Sequence, residues 1–320
     1  MAGQVQAGSL QAALHELSDE TALSEEDLAR AVEEAVVDTY RRLVADDPGV
    51  RARFDPARGA FELYRVDESG ERVPVPADAR DFPRQAAAAA RVAVAGRLVE
   101  ADRRRVLAEA DSRHGELADA VVERRSGATW YVRLTGGPGM LPPEEQIAHE
   151  RLEPGTLVKV LVLEGRRRVH DAVIVVSRSH PLLLQRLLEQ EVPELLTGQV
   201  VVRGIAREPG RRSKVAVEAP AGDMDPQGAC IGPRGVRHRA VVSELGEEQV
   251  QIVTWSADPP TYVANALSPA TTLSVAIEPE TRTARVRVPA DQLSLAIGRG
   301  GENARLVARL TGLRIDIAAD

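Results

Sequence analysis

The chain has 320 residues, of which 43% are hydrophobic, 28% are charged and only 3% are aromatic, and its formal net charge is −7. This composition is apolar enough for packed cores, which excludes a disordered chain, and no apolar run is long enough to span a membrane. The single cysteine, Cys230, excludes an internal disulfide and a cysteine-rich zinc site, and the lack of a signal-peptide pattern indicates a cytoplasmic protein.

The first 110 residues are predicted to form an α+β unit. Ser24 is a suitable helix N-cap, acidic residues fill the first turn, and apolar residues then recur at helical spacing as far as Leu43. Three short strands and a long Ala/Arg helix follow, around 50–54, 61–66, 72–75 and 82–109. The unit carries 21 acidic and 15 basic residues, so its acidic face is either simply solvated or a docking surface for a basic protein.

Residues 111–178 have short strand patterns separated by Gly/Pro turns, which indicate a small closed β-barrel. Trp130 and Tyr131 are neighbours in one strand, so their rings face opposite sides. They are either one core ring and one surface ring, or part of an exposed platform on which a base stacks. The predicted strands cover 116–123, 128–134, 156–164 and 169–176, with a turn at 136–139, and Arg166, Arg167 and Arg168 at a solvated hairpin tip. A linking helix over 181–191 then ends at Pro193.

The strongest signal is an internal repeat in the last part of the chain, at a fixed offset of 66 residues. Each copy is predicted to have the order β-β-α-GxxG-α-β, and a helix at 259–267 joins the copies. The predicted strands are 199–207, 213–219 and 249–255, then 271–278, 283–289 and 313–318. The matching pairs are Ile231 with Ile297, Gly232 with Gly298, Gly235 with Gly301, Arg239 with Arg305, Val241 with Val307 and Gly246 with Gly312.

A Gly-x-x-Gly loop between two helices is suited to binding a phosphate–sugar backbone. Glycine accepts positive φ and has no Cβ, and the second helix begins with free N–H groups and a positive dipole end. This is the KH-domain signature, a loop that clamps about four nucleotides of a single strand. The alternative is a pair of duplicated structural turns. The candidate RNA-binding residues are Gly232, Pro233, Arg234, Gly235, Arg237, Arg239, Gly298, Arg299, Gly300, Gly301, Asn303 and Arg305.

A basic hairpin in the first copy is a candidate extension of the same groove. Arg211, Arg212 and Lys214 lie at its turn and would add sequence-independent attraction for phosphates. The alternative is a solvated turn. The acidity of the whole chain does not oppose this interpretation, because residues 1–110 hold a net −6 whereas residues 196–320 sum to +1.

Nothing in the sequence indicates an enzyme, a metal site or a cofactor. The six histidines show no metal-ligand spacing, the carboxylates form no recognisable acid/base pair, and there is no Gly-x-x-x-x-Gly-Lys-Ser/Thr loop. Cys230 is better explained as a buried apolar residue than as a nucleophile.

The order of an α+β unit, a small barrel and two KH domains resembles the NusA family of bacterial transcription elongation and termination factors. The stretches that carry this resemblance are 175–194, 212–217, 228–232, 262–270, 292–298, 303–306 and 310–312. Arg299 stands where the family commonly has Lys and Gly300 where it often has an acid, and both changes keep or favour phosphate binding. The abundance of Ala and Arg indicates a high-GC, actinobacterial-like source, and we expect no acidic C-terminal repeats.

The resemblance implies a multidomain α+β fold with an N-terminal domain, an S1 (OB-fold) barrel and tandem type II KH domains. The implied boundaries are 1–110, 111–178, a linker helix at 179–197, then 198–268 and 269–320. The resemblance also implies a non-enzymatic monomer without cofactors that modulates pausing, intrinsic termination and antitermination. The implied partners are core RNA polymerase through residues 1–110, nascent single-stranded RNA through the KH domains with the S1 barrel as a candidate, and other antitermination factors. The alternative is an S1/KH subunit of an RNA-processing or degradation assembly, similar to an exosome cap.

Overall fold

The computed structural model describes residues 23–55, 58, 60–77 and 79–320. The chain divides into two compact units: residues up to 109 together with 166–173, and residues 110–165 together with 174–320. Helices and strands are mixed in both units, as the predicted α+β class requires.

The first unit packs two helices against a three-stranded antiparallel sheet. Helix α1 (Glu25–Leu43) begins where predicted, because the Ser24 side chain accepts a hydrogen bond from the Asp27 N–H at 3.1 Å. The core is centred on Phe82, whose ring meets those of Tyr40 and Phe61 edge-on. The remaining elements are β1 (Arg51–Asp55), β2 (Ala60–Val66), β3 (Arg72–Pro74) and α2 (Phe82–Ser112).

The arginines expected at a solvated hairpin tip make specific contacts in this unit. Arg167 donates to both carboxylate oxygens of Glu100 at 2.5 Å, and Arg168 pairs with Asp171 at 3.3 Å. The hydrogen bond from Arg167 lowers the pKa of Glu100. All three arginines are exposed, as expected of a solvated hairpin tip, and Arg167 and Arg168 form their ion pairs at this surface.

A closed five-stranded barrel has the strand order β4-β5-β6-β8-β7. Its strands are β4 (Leu117–Ser126), β5 (Thr129–Leu134), β6 (Gly137–Leu141), β7 (Leu157–Arg167) and β8 (Ala172–Ser177). Strand β6 occupies the stretch predicted as a turn, and it pairs antiparallel with β5 and parallel with β8. Gly139 is there because the strands approach closely: a Cβ on it would lie 2.6 Å from Cγ2 of Val132.

Two short helices follow the barrel and pack into the core of the first repeat. Helix α3 (Pro181–Glu191) begins at His180, whose Nδ1 accepts a hydrogen bond from the Leu182 N–H. Pro193 ends that helix, as predicted, and also starts another one, α4 (Pro193–Leu196). The buried leucines of α3 share one cluster with residues of the barrel and of the repeat, namely Leu161, Leu183, Leu184, Leu187, Leu188, Val215, Val241 and Ile252.

The two repeats have the same topology, which confirms the repeat predicted from the sequence. In each three-stranded sheet the middle strand pairs antiparallel with the strand before it and parallel with the last strand. The first copy consists of β9 (Val201–Glu208), β10 (Arg212–Glu218), α5 (Pro226–Ile231), α6 (Val236–Glu244) and β11 (Gln249–Thr254). The second consists of β12 (Ser274–Glu278), β13 (Thr283–Val288), α8 (Leu293–Ile297), α9 (Glu302–Thr311) and β14 (Arg314–Ala319).

Helix α7 (Pro259–Leu267) connects the repeats and contributes to both. Val263 and Leu267 are fully buried in the core of the second repeat. Tyr262 instead packs with Ala216 of the first repeat, in a cluster that Leu310 joins from α9. The two repeats therefore share an apolar contact.

Candidate nucleic-acid interface

The two Gly-x-x-Gly loops have the same backbone conformation. Each forms a single 3-10 turn, Pro233–Gly235 or Arg299–Gly301, between the two helices of its repeat. Three positions in each loop have positive φ: Gly232 (72°), Arg234 (55°) and Gly235 (73°), then Gly298 (79°), Gly300 (60°) and Gly301 (75°). The offset of 66 residues therefore describes a repeated geometry as well as a repeated sequence.

Packing explains why the first position of each loop must be glycine. A Cβ on Gly298 would lie 2.7 Å from the backbone nitrogen of Asn303, and one on Gly232 would lie 2.7 Å from Cγ of Arg237. The third position differs between the copies, since Arg234 holds a left-handed conformation that glycine adopts at no steric cost in Gly300. The first loop therefore keeps an arginine despite backbone strain.

Each loop leads directly into the first turn of a helix whose N-cap is glycine. The N-caps of α6 and α9 are Gly235 and Gly301, which have no side chain to satisfy the first N–H groups. These groups and the positive end of the helix dipole favour an anion. Side chains at the loop tips are exposed: Pro233, Arg234 and Arg299.

An arginine in each second helix supports its loop in the same way. Nη1 of Arg239 donates to the carbonyl oxygen of Arg234 at 2.6 Å, and Nη1 of Arg305 donates to that of Gly300 at 3.2 Å. Both guanidinium groups therefore lie beside the loop carbonyls, where a phosphate that binds the loop would meet them.

Arg237 and Asn303, which we predicted to bind RNA, are engaged inside the protein. Arg237 is half-buried, and its Nη1 donates to Glu194 at 2.9 Å and to the Ala229 carbonyl at 2.7 Å. Asn303 is 1% exposed, and its Nδ2 donates to the carbonyl oxygens of Leu267 and Ala296. Burial contradicts a direct RNA contact for Asn303, which instead holds the helices beside its loop, whereas an RNA contact of the partly exposed Arg237 stays a prediction.

The basic hairpin also differs from the prediction. Lys214 is fully buried, and its Nζ donates to Oε1 of Gln251 at 2.6 Å and to the Ser268 carbonyl at 3.0 Å. Lys214 therefore cannot extend the RNA groove. Arg212 is half-buried and donates to Gln249, and only Arg211 extends into solvent, where it pairs with Glu302 at 3.2 Å.

The buried amine of Lys214 makes stability dependent on pH. Burial, and then the charge of Arg212, lowers the pKa of Lys214 to about 7. The amine in the unfolded chain has a pKa near 10.4, so from about pH 7 to about pH 10 the unfolded state binds a proton that the folded state lacks. The free energy of unfolding should therefore rise with pH across this window, relative to Lys214→Met, by up to about 1.4 kcal/mol per unit. Urea unfolding of both proteins at several pH values measures this effect. A difference between their free energies of unfolding that stays constant from about pH 7 to about pH 10 would contradict the prediction.

The structure decides between the two interpretations of the aromatic pair only in part. Trp130 and Tyr131 are both half-buried, and an arginine of β4 covers each ring, with Arg125 5.7 Å from the Trp130 centroid and Arg124 4.2 Å from the Tyr131 centroid. The alternative of one core ring and one surface ring is therefore wrong, and the stacking platform stays a prediction. The neighbouring Arg133 donates to Glu123 at 2.8 Å.

Acidic partners of the loop arginines were missed by sequence analysis. Glu208, at the end of β9, receives two hydrogen bonds from Arg305, and Glu302, in the first turn of α9, pairs with Arg211. In the sequence Glu208 has no feature that distinguishes it from other surface glutamates, and its partner Arg305 lies 97 positions away. Only the fold brings these residues together.

The described part of the chain contains no cluster of His, Cys, Asp and Glu that could hold a metal ion. Within the same residues, no helix is both long and apolar enough to cross a membrane. Cys230 is buried, and burial raises the pKa of its thiol to about 11, which favours the unreactive form.

Two KH folds in tandem, each with a bare Gly-x-x-Gly loop at a helix start, define a KH-type RNA-binding protein. Models of the NusA-like first and second KH domains match residues 178–255 and 259–320, and a model of the NusA N-terminal domain matches residues 9–77. The chain belongs to the NusA family, as the resemblance indicated. The ranges that the family models match differ from the domain boundaries that we predicted, so those boundaries stay predictions.

Full-length relatives give the same assignment. The chain is 37% identical to the transcription termination/antitermination protein NusA of Bacillus subtilis, over 96% of this chain and 90% of the relative. It is 38% identical to that of Mycobacterium tuberculosis, over 97% and 92%. It is 37% identical to that of Thermus thermophilus, over 95% and 88%. These relatives support a transcription factor and give no support to the RNA-processing alternative.

Proposed function

We propose that this protein acts in transcription termination and antitermination by holding nascent single-stranded RNA across its two Gly-x-x-Gly loops. The observation that supports this most directly is the repeated loop geometry, with three positive-φ positions before a glycine-capped helix in each copy. Backbone clamping does not need aromatic rings, so it suits a chain with only 3% aromatic residues.

The other parts of the chain take the roles that the family implies. Residues 1–110 bind core RNA polymerase, residues 111–178 form the S1 barrel, and residues 179–197 link it to KH domains at 198–268 and 269–320. The protein works as a cytoplasmic, non-enzymatic monomer and cooperates with other antitermination factors. The RNA-binding residues are Gly232, Pro233, Arg234, Gly235, Arg237, Arg239, Arg211, Arg212, Gly298, Arg299, Gly300, Gly301 and Arg305.

Site-specific photocrosslinking on a paused elongation complex tests this assignment. A photoreactive residue is placed at the exposed loop positions Arg234 and Arg299, and at Arg30 and Val92 on the exposed faces of α1 and α2. We expect the loop positions to crosslink to the labelled transcript and the helix positions to crosslink to polymerase subunits. If the loop positions reach only polymerase while the helix positions reach RNA, the proposed roles are reversed. The full chain should also change the fraction of transcripts released at an intrinsic terminator.

A further inference from the structure

The two loops carry equivalent arginines in different surroundings. Arg239 and Arg305 both donate Nη1 to a loop carbonyl oxygen. Beyond this, Nε and Nη2 of Arg305 form a bidentate pair with Glu208, at 2.6 and 3.0 Å. Arg239 forms no ion pair with any residue that the structure describes. The first loop therefore presents an available guanidinium, whereas the second presents one that already holds an anion.

Glu208 gathers positive charge from more than one side chain. Nη1 of Arg309, one helical turn beyond Arg305, lies 3.5 Å from its Oε1. The hydrogen bond from Arg305 lowers the pKa of Glu208, so the group is a carboxylate at neutral pH. A carboxylate and a phosphate use the same bidentate face of a guanidinium. Glu208 therefore occupies donors that are suited to an RNA phosphate.

The arginines of this contact are accessible from solvent, although its carboxylate is mostly covered. The side chains of Arg305 and Arg309 are 42% and 53% exposed, whereas that of Glu208 is 13% exposed. Solvent and salt screen ion pairs whose cations are exposed, so a ligand of higher charge can exchange with the carboxylate. The fully buried pair of Arg207 with Glu248 offers no such exchange.

The contact joins the first repeat to the loop of the second. Glu208 ends strand β9 of the first repeat, and Arg211 of the same hairpin pairs with Glu302, directly after the second loop. We infer that Glu208 competes with RNA at the second Gly-x-x-Gly loop, because its carboxylate holds Arg305 and Arg309 in place of a phosphate. The first loop then binds RNA more readily, and the second binds once Glu208 is displaced. This inference rests on the proposed function.

The test measures binding of the full chain to a labelled single-stranded RNA of mixed sequence, in two backgrounds. Pro233→Asp/Arg234→Asp disables the first loop, so binding reports the second, and Arg299→Asp/Gly300→Asp does the reverse. Glu208→Gln should raise the affinity about 3- to 10-fold in the first background and leave it unchanged in the second. It should also steepen the salt dependence only in the first background.

Glu218→Gln is the matched control, since it removes the same charge from the same sheet. Its partner is the half-exposed Arg203, at 2.5 Å, and the variant should leave the affinity unchanged in both backgrounds. Glu208→Asp provides a second variant in case Glu208→Gln folds poorly, judged by circular dichroism. It keeps the charge but shortens the reach to Arg305, so we expect a smaller gain in affinity.

The outcomes separate this inference from the proposed function. If the unsubstituted chain does not bind the RNA, the proposed function is wrong and the inference is wrong with it. If the chain binds but Glu208→Gln equals Glu218→Gln, or binds more weakly, in the first background, the inference alone is wrong. In that case Glu208 would position Arg305 for RNA binding or serve only the contact between the repeats.

Discussion

Charge reversal in both Gly-x-x-Gly loops is expected to remove most of the RNA affinity of this protein. Pro233→Asp/Arg234→Asp in the first loop and Arg299→Asp/Gly300→Asp in the second each replace one positive charge with two negative charges. Because the loops bind the RNA backbone, the first pair should weaken binding about 10-fold, the second pair by less because Glu208 already competes there, and the four changes together by more than either pair. The slope of affinity against salt should fall in magnitude by about one for each phosphate that the variant no longer binds.

The fold tolerates these changes at the loop positions. All four residues are exposed, and a Cβ on Gly300 would meet no atom within 4 Å. Asp is among the residues that best accept the positive φ of Arg234 and Gly300. Loss of RNA binding would therefore report the loop chemistry and would not reflect unfolding, and thermal melting would check this directly.

A matched control separates local contacts from overall charge. Arg84→Asp/Val92→Asp makes the same change of charge on α2, at side chains that are 82% and 73% exposed. We expect this variant to bind single-stranded RNA like the parent chain, because α2 carries no Gly-x-x-Gly loop and contributes no proposed RNA contact. If the loop variants and the control lose affinity equally, RNA is held by the general field of the protein and the loops are not the clamp.

The elements that sequence analysis predicted correctly depend on local chemistry. The start of α1 follows from one capping side chain, Ser24, and its acidic first turn. The tandem repeat follows from glycines that are required by backbone geometry, as at Gly232 and Gly298, where a Cβ would collide with the next helix. A local requirement of this kind is visible as a residue type at a fixed position, so the fold class and the family could be predicted from the sequence.

The wrong predictions concern residues whose surroundings are set by tertiary contacts. Lys214 lies in a basic stretch, yet its partners are Gln251 and the Ser268 carbonyl, which the parallel strand and the connection to the second repeat bring to it. Strand β6 begins in a glycine-rich stretch that is typical of turns, but Gly139 serves a close approach to Val132. A pattern of charge or glycine alone does not reveal such partners, so residues near a correct motif were assigned wrong roles.

The second large effect concerns the stability of the first repeat. Arg207→Met is expected to lower its free energy of unfolding by about 3–5 kcal/mol, because it leaves a buried carboxylate without its counter-ion. The side chains of Arg207 and Glu248 are both 0% exposed and form a two-pronged pair, with Nε–Oε1 and Nη2–Oε2 distances of 2.9 Å. Glu248 also accepts hydrogen bonds from the Ser213 hydroxyl and from the Gly210 N–H.

Arg203→Met is the control for this prediction, since it removes an arginine from the same strand. Arg203 is 45% exposed and pairs with Glu218, so its loss should cost less than about 1 kcal/mol. Urea unfolding followed by circular dichroism would measure both variants. Equal destabilisation by the two substitutions would show that the buried pair has no special role.

A double variant tests whether the cost comes from the unpaired charge. In Arg207→Met/Glu248→Leu neither charge of this pair remains, so the loss should be smaller than the sum of the two single losses. The Gly210 N–H would still lose its acceptor, and Gly210 lies at the tip of the hairpin that carries Glu208 and Arg211. The same double variant should therefore change RNA binding at the second loop while retaining more stability than Arg207→Met. Such a result would show that the buried Arg207–Glu248 pair affects the contact between Glu208 and Arg305 through the hairpin that carries Glu208.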